Sequence, residues 1–288
     1  MAAPPVVLVT GASRGLGRAL VRSLVDRKAR VVAVVRKQAD AASLEAEYGG
    51  SGGGAVVTVL GDVTDPEVPA RAVGAAVASF GRLDALINNA GILEPLKRVV
   101  DVTPEEWTRM MAVNVVAPAT FVRAALPELR KTEGVVVNIS SGAAVNVYEA
   151  WAPYSAYVAG RTGGSTLSGP ALRPPPRPPL AGRTRAPHRS KAALNQFNAV
   201  LGKEEPTIRT VAVRPGLVAT DMQGVLREQG KTSMAPDQHA RFLEAHRENK
   251  LLPPEVPANA IAKLALACPR KLSGTYISWE EIDQLLTA

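Results

Sequence analysis

The sequence predicts an α/β fold, a doubly wound parallel sheet forming a single domain over residues 1–288. Three observations carry this. Apolar runs of strand length alternate with longer segments of 3.6-residue periodicity. The runs are nearly continuous in Val, Leu and Ile, as strands covered on both faces require. A glycine-rich turn, "TGASRGLG" (10–17), joins the first run to the first periodic segment. With 288 residues, 46% of them apolar, the chain is long enough to bury a sizeable core.

The strands are expected at "VVLVT" (6–10), "RVVAVV" (30–35), "AVVTVL" (55–60), "LDALI" (83–87), "VVVNIS" (135–140) and "RTVAVR" (209–214), with a last one near "GTYIS" (274–278). Helices are expected between them, among others at 15–27, 66–79, 104–131 and 190–203, and strand–helix alternation of this kind builds parallel sheets. "YGGSGGG" (48–54) reads as a surface turn. No apolar run is expected to span a bilayer, and "MAAPPVVLVT" lacks the basic start of a signal peptide. One cysteine, Cys268, excludes an intrachain disulfide and fits a reducing, cytoplasmic compartment. That cysteine and three scattered histidines give no metal-ligand spacing, so no metal is expected.

The formal charge of +8 raises the question of a nucleic-acid partner. Residues 157–189 hold six arginines and no acid, and without them the balance falls to +2. The basicity therefore belongs mainly to that segment, and no nucleic-acid groove is expected.

The glycines of the turn follow a G-x-x-x-G-x-G spacing. Gly11 permits the tight turn, Gly15 lets backbone approach a pyrophosphate, and Gly17 lets the following helix pack close to the sheet. Ser13, Arg14 and Leu16 complete the phosphate-facing loop, and the helix N-terminus supplies N–H groups and a positive dipole. The fold is thus of the Rossmann type. The second strand ends in "VVRKQ", with Arg36 and Lys37 where an acid would select NAD. Arg36 and Arg14 favour a 2′-phosphate and hence NADP(H); the alternative is that they are solvated surface arginines.

Further motifs fall in order along the chain. "GDVTD" follows the third strand, "NNAG" (88–91) the fourth, Asn114 lies mid-helix, "NISS" (138–141) closes the fifth strand, and "RPGLVATD" (214–221) follows the sixth. This set resembles the short-chain dehydrogenase/reductase family from Val6 to about Ser278, interrupted only by 157–189. "GILEPL", "LPELRKTEG", "TDMQ" and "LPPEVPANAIAKLAL" resemble its sepiapterin-reductase-like branch, which includes fungal benzil reductases. The resemblance implies that Ser141 hydrogen-bonds a substrate carbonyl and that Tyr154 protonates its oxygen. It implies a lysine that lowers the tyrosine pKa and holds the ribose, with Asn114 anchoring a water chain behind it. Asp62 and Val63 are then expected at the adenine, Asn89 near its ribose, and Val218 and Thr220 at the nicotinamide carboxamide. Singly, Ser141 could simply end a strand and Asn114 could be a structural amide.

The lysine is displaced. Four residues after Tyr154 stands Val158, and the pattern "YSASKAALNQF" is split into "YSA" (154–156) and "SKAALNQF" (190–197). Removing 157–189 brings Lys191 four positions beyond Tyr154, which leaves 255 residues. A substitute pair, Tyr157 and Arg161, has the right spacing, but glycines and a proline follow it. The Pro/Arg-rich segment lacks an apolar period and is expected to be disordered or polyproline-II-like. Three readings stand: translated non-coding sequence, a genuine extruded loop after which Ser190 caps a restarted helix, or a partner-binding proline loop. Closing such a loop costs only about 3 kcal/mol. A missing ammonium would cost a phenolate roughly 4 kcal/mol.

Val145, Tyr148 and Trp151 on one side and Met222 on the other suggest an apolar or aromatic small-molecule carbonyl substrate, with residues 222–252 as a lid. The resemblance implies an NADPH-dependent carbonyl reductase, a homodimer or homotetramer if the insertion is tolerated. The competing reading is a nucleotide-binding protein without catalysis.

Overall fold

The architecture is described from a computed structural model, which describes residues 3–49, 54–146, 148–155 and 190–287. The expectations for 157–189, including the pair Tyr157 and Arg161, lie outside the described residues. Seven strands, β1 Val6–Thr10, β2 Arg30–Val35, β3 Val56–Leu60, β4 Ala85–Asn88, β5 Val135–Ile139, β6 Arg209–Arg214 and β7 Thr275–Ser278, form one sheet. The order is β3-β2-β1-β4-β5-β6-β7 and every pairing is parallel. The order reverses between β1 and β4, the place where such sheets open a crevice at the carboxyl ends of their strands.

The continuous apolar runs are explained by helices on both faces. α1 (Gly15–Asp26) and α2 (Gln38–Tyr48) cover one face together with later helices. Leu16, Ala19, Leu20 and Leu24 of α1 recur at helical spacing and are buried against Val7, Val9 and Val31 of the sheet. α3 (Val68–Phe80) packs on the opposite face and is ended by Gly81, whose φ of 78° continues no helix.

The helix expected at 104–131 is present but not uniform. α4 (Pro104–Met111) starts from a capping box, Thr103 with Glu106, and carries Pro at its first position. A π-helical turn, Ala112–Val116, separates it from α5 (Ala117–Thr132). The wider turn directs the fully buried Asn114 inward, so that its Oδ1 accepts from Ile92 N (2.9 Å) and its Nδ2 donates to Ile92 O (2.9 Å). By length and composition Pro104–Thr132 is long and apolar enough to cross a bilayer, a test that the core helix of a soluble protein also passes. In the fold Phe121, Val122, Ala125 and Leu129 of this stretch are buried against Leu86 and Val136 of the sheet.

α6 (Ala152–Ser155) carries Tyr154, and α7 (Ser190–Glu204) begins one residue before Lys191. α8 (Asp221–Ser233) and α9 (Pro236–Arg247) form a cap over the carboxyl edge, where Leu226 and Phe242 join Trp151 and Tyr154 in a separate apolar cluster. α10 (Glu255–Ala267) lies beside α1, and α11 (Ile282–Thr287) closes that face through Ile282.

The turn after β1 tolerates no side chain at Gly17, where an added Cβ would overlap the Gly11 carbonyl oxygen and lie 2.7 Å from Asn89 Nδ2. Gly17→Ala is therefore expected to lower the unfolding free energy by about 1–3 kcal/mol, read as a lower urea midpoint at unchanged slope. An unchanged midpoint would contradict this packing.

Candidate functional site

One cavity of about 690 Å³ opens at the switch between β1 and β4. Of the sixteen residues given catalytic or nucleotide-binding roles in the sequence, all line it except Asn114, which is braced on Ile92.

The phosphate end is built by backbone. Gly11 and Gly15 adopt φ of +65° and +52°, which turn the chain from β1 into α1. Thr10 Oγ1 accepts from Asn89 N (3.0 Å) and Ala90 N (3.1 Å), and Asn89 Nδ2 donates to Thr10 O (2.9 Å). The two loops therefore brace each other, and Asn89 spends its amide on the turn. Among the described residues no side chain caps the N-terminus of α1, which leaves its first N–H groups for an anion in the cavity. A pyrophosphate fits this cradle through those N–H groups, while Gly11 and Gly17 let Ala90 and the Gly11 carbonyl pack tightly behind the turn.

At the far end Asp62 accepts from Thr64 N (2.9 Å) and Thr64 Oγ1 (2.7 Å). These bonds, aided by the charges of Arg36 and Arg109, hold its carboxyl below the usual range despite partial burial. Arg109 of α4 was missed in the sequence, where one arginine on a helix gives no signal of what it faces. Arg14, expected beside Arg36 at a 2′-phosphate, is instead ion-paired with Asp221 at the start of α8. That pair is 69% exposed on each side, so solvent screens it and it contributes little to stability.

At the inner end the structure brings Ser141, Tyr154 and Lys191 together. Lys191 Nζ lies 6.0 Å from the centroid of the Tyr154 ring and donates to Ile139 O (2.7 Å). Tyr154 and Lys191 are only 5% and 4% exposed. Burial pushes the Tyr154 phenol above its ordinary value, and its hydrogen bond with Ser141 pulls it partly back. Burial pushes Lys191 down to about 8. Desolvation is the largest influence on both groups. The neighbouring Ser140 points elsewhere, donating to Asn195 Oδ1 (2.6 Å).

The substrate-side wall is aromatic. Trp151 stacks on Tyr148 (centroids 4.7 Å) and on Phe242 (5.7 Å), and meets Tyr154 edge-on (5.7 Å). Of the four residues expected here, Trp151 and Met222 line the cavity, Tyr148 supports Trp151 from behind, and Val145 is exposed outside it. The expected lid is α8 and α9, of which Gln223 and Leu226 reach the cavity.

A family model described as short chain dehydrogenase matches residues 5–163, more than half of the chain. The chain belongs to the short-chain dehydrogenase family. Over 280 residues it is 36% identical to an uncharacterized oxidoreductase of Schizosaccharomyces pombe, covering 96% of this chain and 97% of that protein. It is 33% identical to a benzil reductase ((S)-benzoin forming) of Saccharomyces cerevisiae, with 96% of each chain covered. A solved short chain dehydrogenase/reductase from Saccharomyces cerevisiae superimposes with a TM-score of 0.80 at 35% identity, again covering 96% of each.

The depressed pKa of the Lys191 amine has a thermodynamic consequence. Between pH 8 and 10.5 the unfolded chain binds the Lys191 proton more readily than the folded chain. Stability should therefore rise with pH across that window, by up to about 3 kcal/mol for this group alone. Lys191→Met removes the effect, so urea titrations should show the parent gaining on the variant as pH rises through the window. A difference that stays flat would contradict the burial of the amine.

Proposed function

We propose that this protein is an NADPH-dependent reductase of aromatic carbonyl compounds. The observation that carries the reading is the meeting of Ser141, Tyr154 and Lys191 at the inner end of a cavity whose other end is a glycine cradle. The first-turn N–H groups of α1 would take the pyrophosphate, and Arg36 the 2′-phosphate, with Arg14 shared with Asp221. Val63 would face the adenine and Asp62 its edge, while Val218 and Thr220 would receive the carboxamide. Bound there, NADPH supplies the hydride.

The chain's own groups handle the proton and the oxygen. Ser141 donates a hydrogen bond to the substrate carbonyl oxygen and orients it. Tyr154, whose raised pKa keeps its proton at neutral pH, delivers that proton to the same oxygen. Lys191 holds the ribose hydroxyls and supports the phenolate left behind, and Asn114 keeps the Ile92 segment in place around it. The wall of Trp151, backed by Tyr148 and Phe242, suits a flat aromatic ketone or diketone and agrees with the branch that holds fungal benzil reductases. We also place the protein in a reducing, cytoplasmic compartment, as a homodimer or homotetramer assembled through helices flanking the site.

NADPH oxidation in the presence of benzil tests the reading. Tyr154→Phe should lower kcat about 10³-fold with nucleotide binding kept, and Arg36→Ala should raise the KM for NADPH about tenfold without raising that for NADH. Unchanged turnover in Tyr154→Phe, or tight NADPH binding with no reduction of any aromatic ketone or diketone, would overturn it; the latter is the behaviour of a nucleotide-binding protein without catalysis.

A further inference from the structure

Lys191 stands at the amino end of α7 as described (Ser190–Glu204), 37 positions beyond Tyr154 in the chain. Lys191, Asn195, Asn198 and Gly202 follow one another at spacings of four, three and four, and so share one face. That face lies on the sheet, where its polar groups sit beside the buried Leu194 and Leu201.

Each member meets the carboxyl half of the sheet. Ser140 Oγ, just beyond β5, donates to Asn195 Oδ1 (2.6 Å) and lies 3.4 Å from Lys191 O. Asn198, fully buried, accepts at Oδ1 from Asn138 Nδ2 of β5 (3.1 Å) and from Thr210 Oγ1 of β6 (2.5 Å). Its Nδ2 donates to Thr275 O of β7 (3.0 Å). One amide therefore ties α7 to three strands. Asn88 Nδ2 of β4 extends the ladder by donating to Asn138 Oδ1 (2.9 Å). At the far end a Cβ on Gly202 would lie 2.7 Å from Gly274 Cα, so the helix backbone itself seats against the start of β7.

An apolar helix face can slide along or rotate over a sheet at modest cost, whereas a buried amide with three specific partners loses them together when it moves. We propose that Asn195 and Asn198 are positioning residues that set the register of α7 on β5 to β7, and so hold Lys191 at Tyr154 although the two stand 37 positions apart in the chain. The proposal rests on the reading above for what Lys191 does once it is there, but the docking itself is readable without turnover.

The full-length chain carries the test. In Asn198→Leu and in Asn195→Ala, acetylation of the Lys191 amine by acetic anhydride, followed by mass spectrometry, should quicken about tenfold, the ratio that one net hydrogen bond supports. The rate at exposed Lys263 should stay the same. NADPH affinity should fall by a similar factor. If Asn198→Leu does not fold, the milder Asn195→Ala decides. A folded Asn195→Ala with Lys191 as unreactive as in the parent overturns the proposal. Deleting 157–189, which restores the four-residue spacing, should also make Asn195→Ala nearly silent for Lys191 reactivity. An equal effect in both backgrounds would mark Asn195 as an ordinary packing contact and overturn the proposal. Absence of benzil reduction in all these forms would count against the reductase reading only, since the labelling is independent of it.

Discussion

The arrangement depends on one constraint: an amine and a phenol 37 positions apart in the chain must share one dry corner of a cavity. Tyr154 comes from a four-residue helix and Lys191 from the first turn of another. What they have in common is the carboxyl end of β5. Ile139 O accepts from the amine, Ser140 holds Asn195, and Ser141 bonds the phenol. Three consecutive residues at and just beyond the end of β5 thus act on the two groups, Ser140 through Asn195. Tyr276 of β7 steadies the last of them by donating to Ser141 O (3.0 Å).

Burial sets the chemistry at this corner. Trp151 and its aromatic neighbours pack against the phenol, and burial disfavours both the ammonium and the phenolate. A neutral phenol with a retained proton is suited to protonating a developing alkoxide. The opposite end of the cavity works by different physics: uncapped N–H groups, Arg36 and Arg109 make it positive and open, a place for anions. Binding charge and transfer of a proton are thereby kept apart along one crevice.

Much of this was legible in the sequence, and the reasons are specific. Strands covered on both faces read as unbroken Val runs, so β1, β2 and β6 begin and end where expected. Motifs tied to strand ends fell into the cavity because the strand ends converge there. What escaped depends on contacts remote in sequence. The Arg14–Asp221 pair joins residues 207 positions apart, and no local pattern announces it. The π turn at Asn114 differs from an α-helix by one residue in its spacing, below what periodicity resolves. Asn195 and Asn198 belong to no motif of their own, although their spacing from Lys191 places all three on one helix face.

The most direct measurement is the titration of the Lys191 amine itself, followed by NMR of an isotopically labelled ε-carbon in the full-length chain. Seated against β5 beside Tyr154, the amine should titrate at about 8. A midpoint at its ordinary value of 10.5 would mean that the amine is in water, and the account of this site would fail.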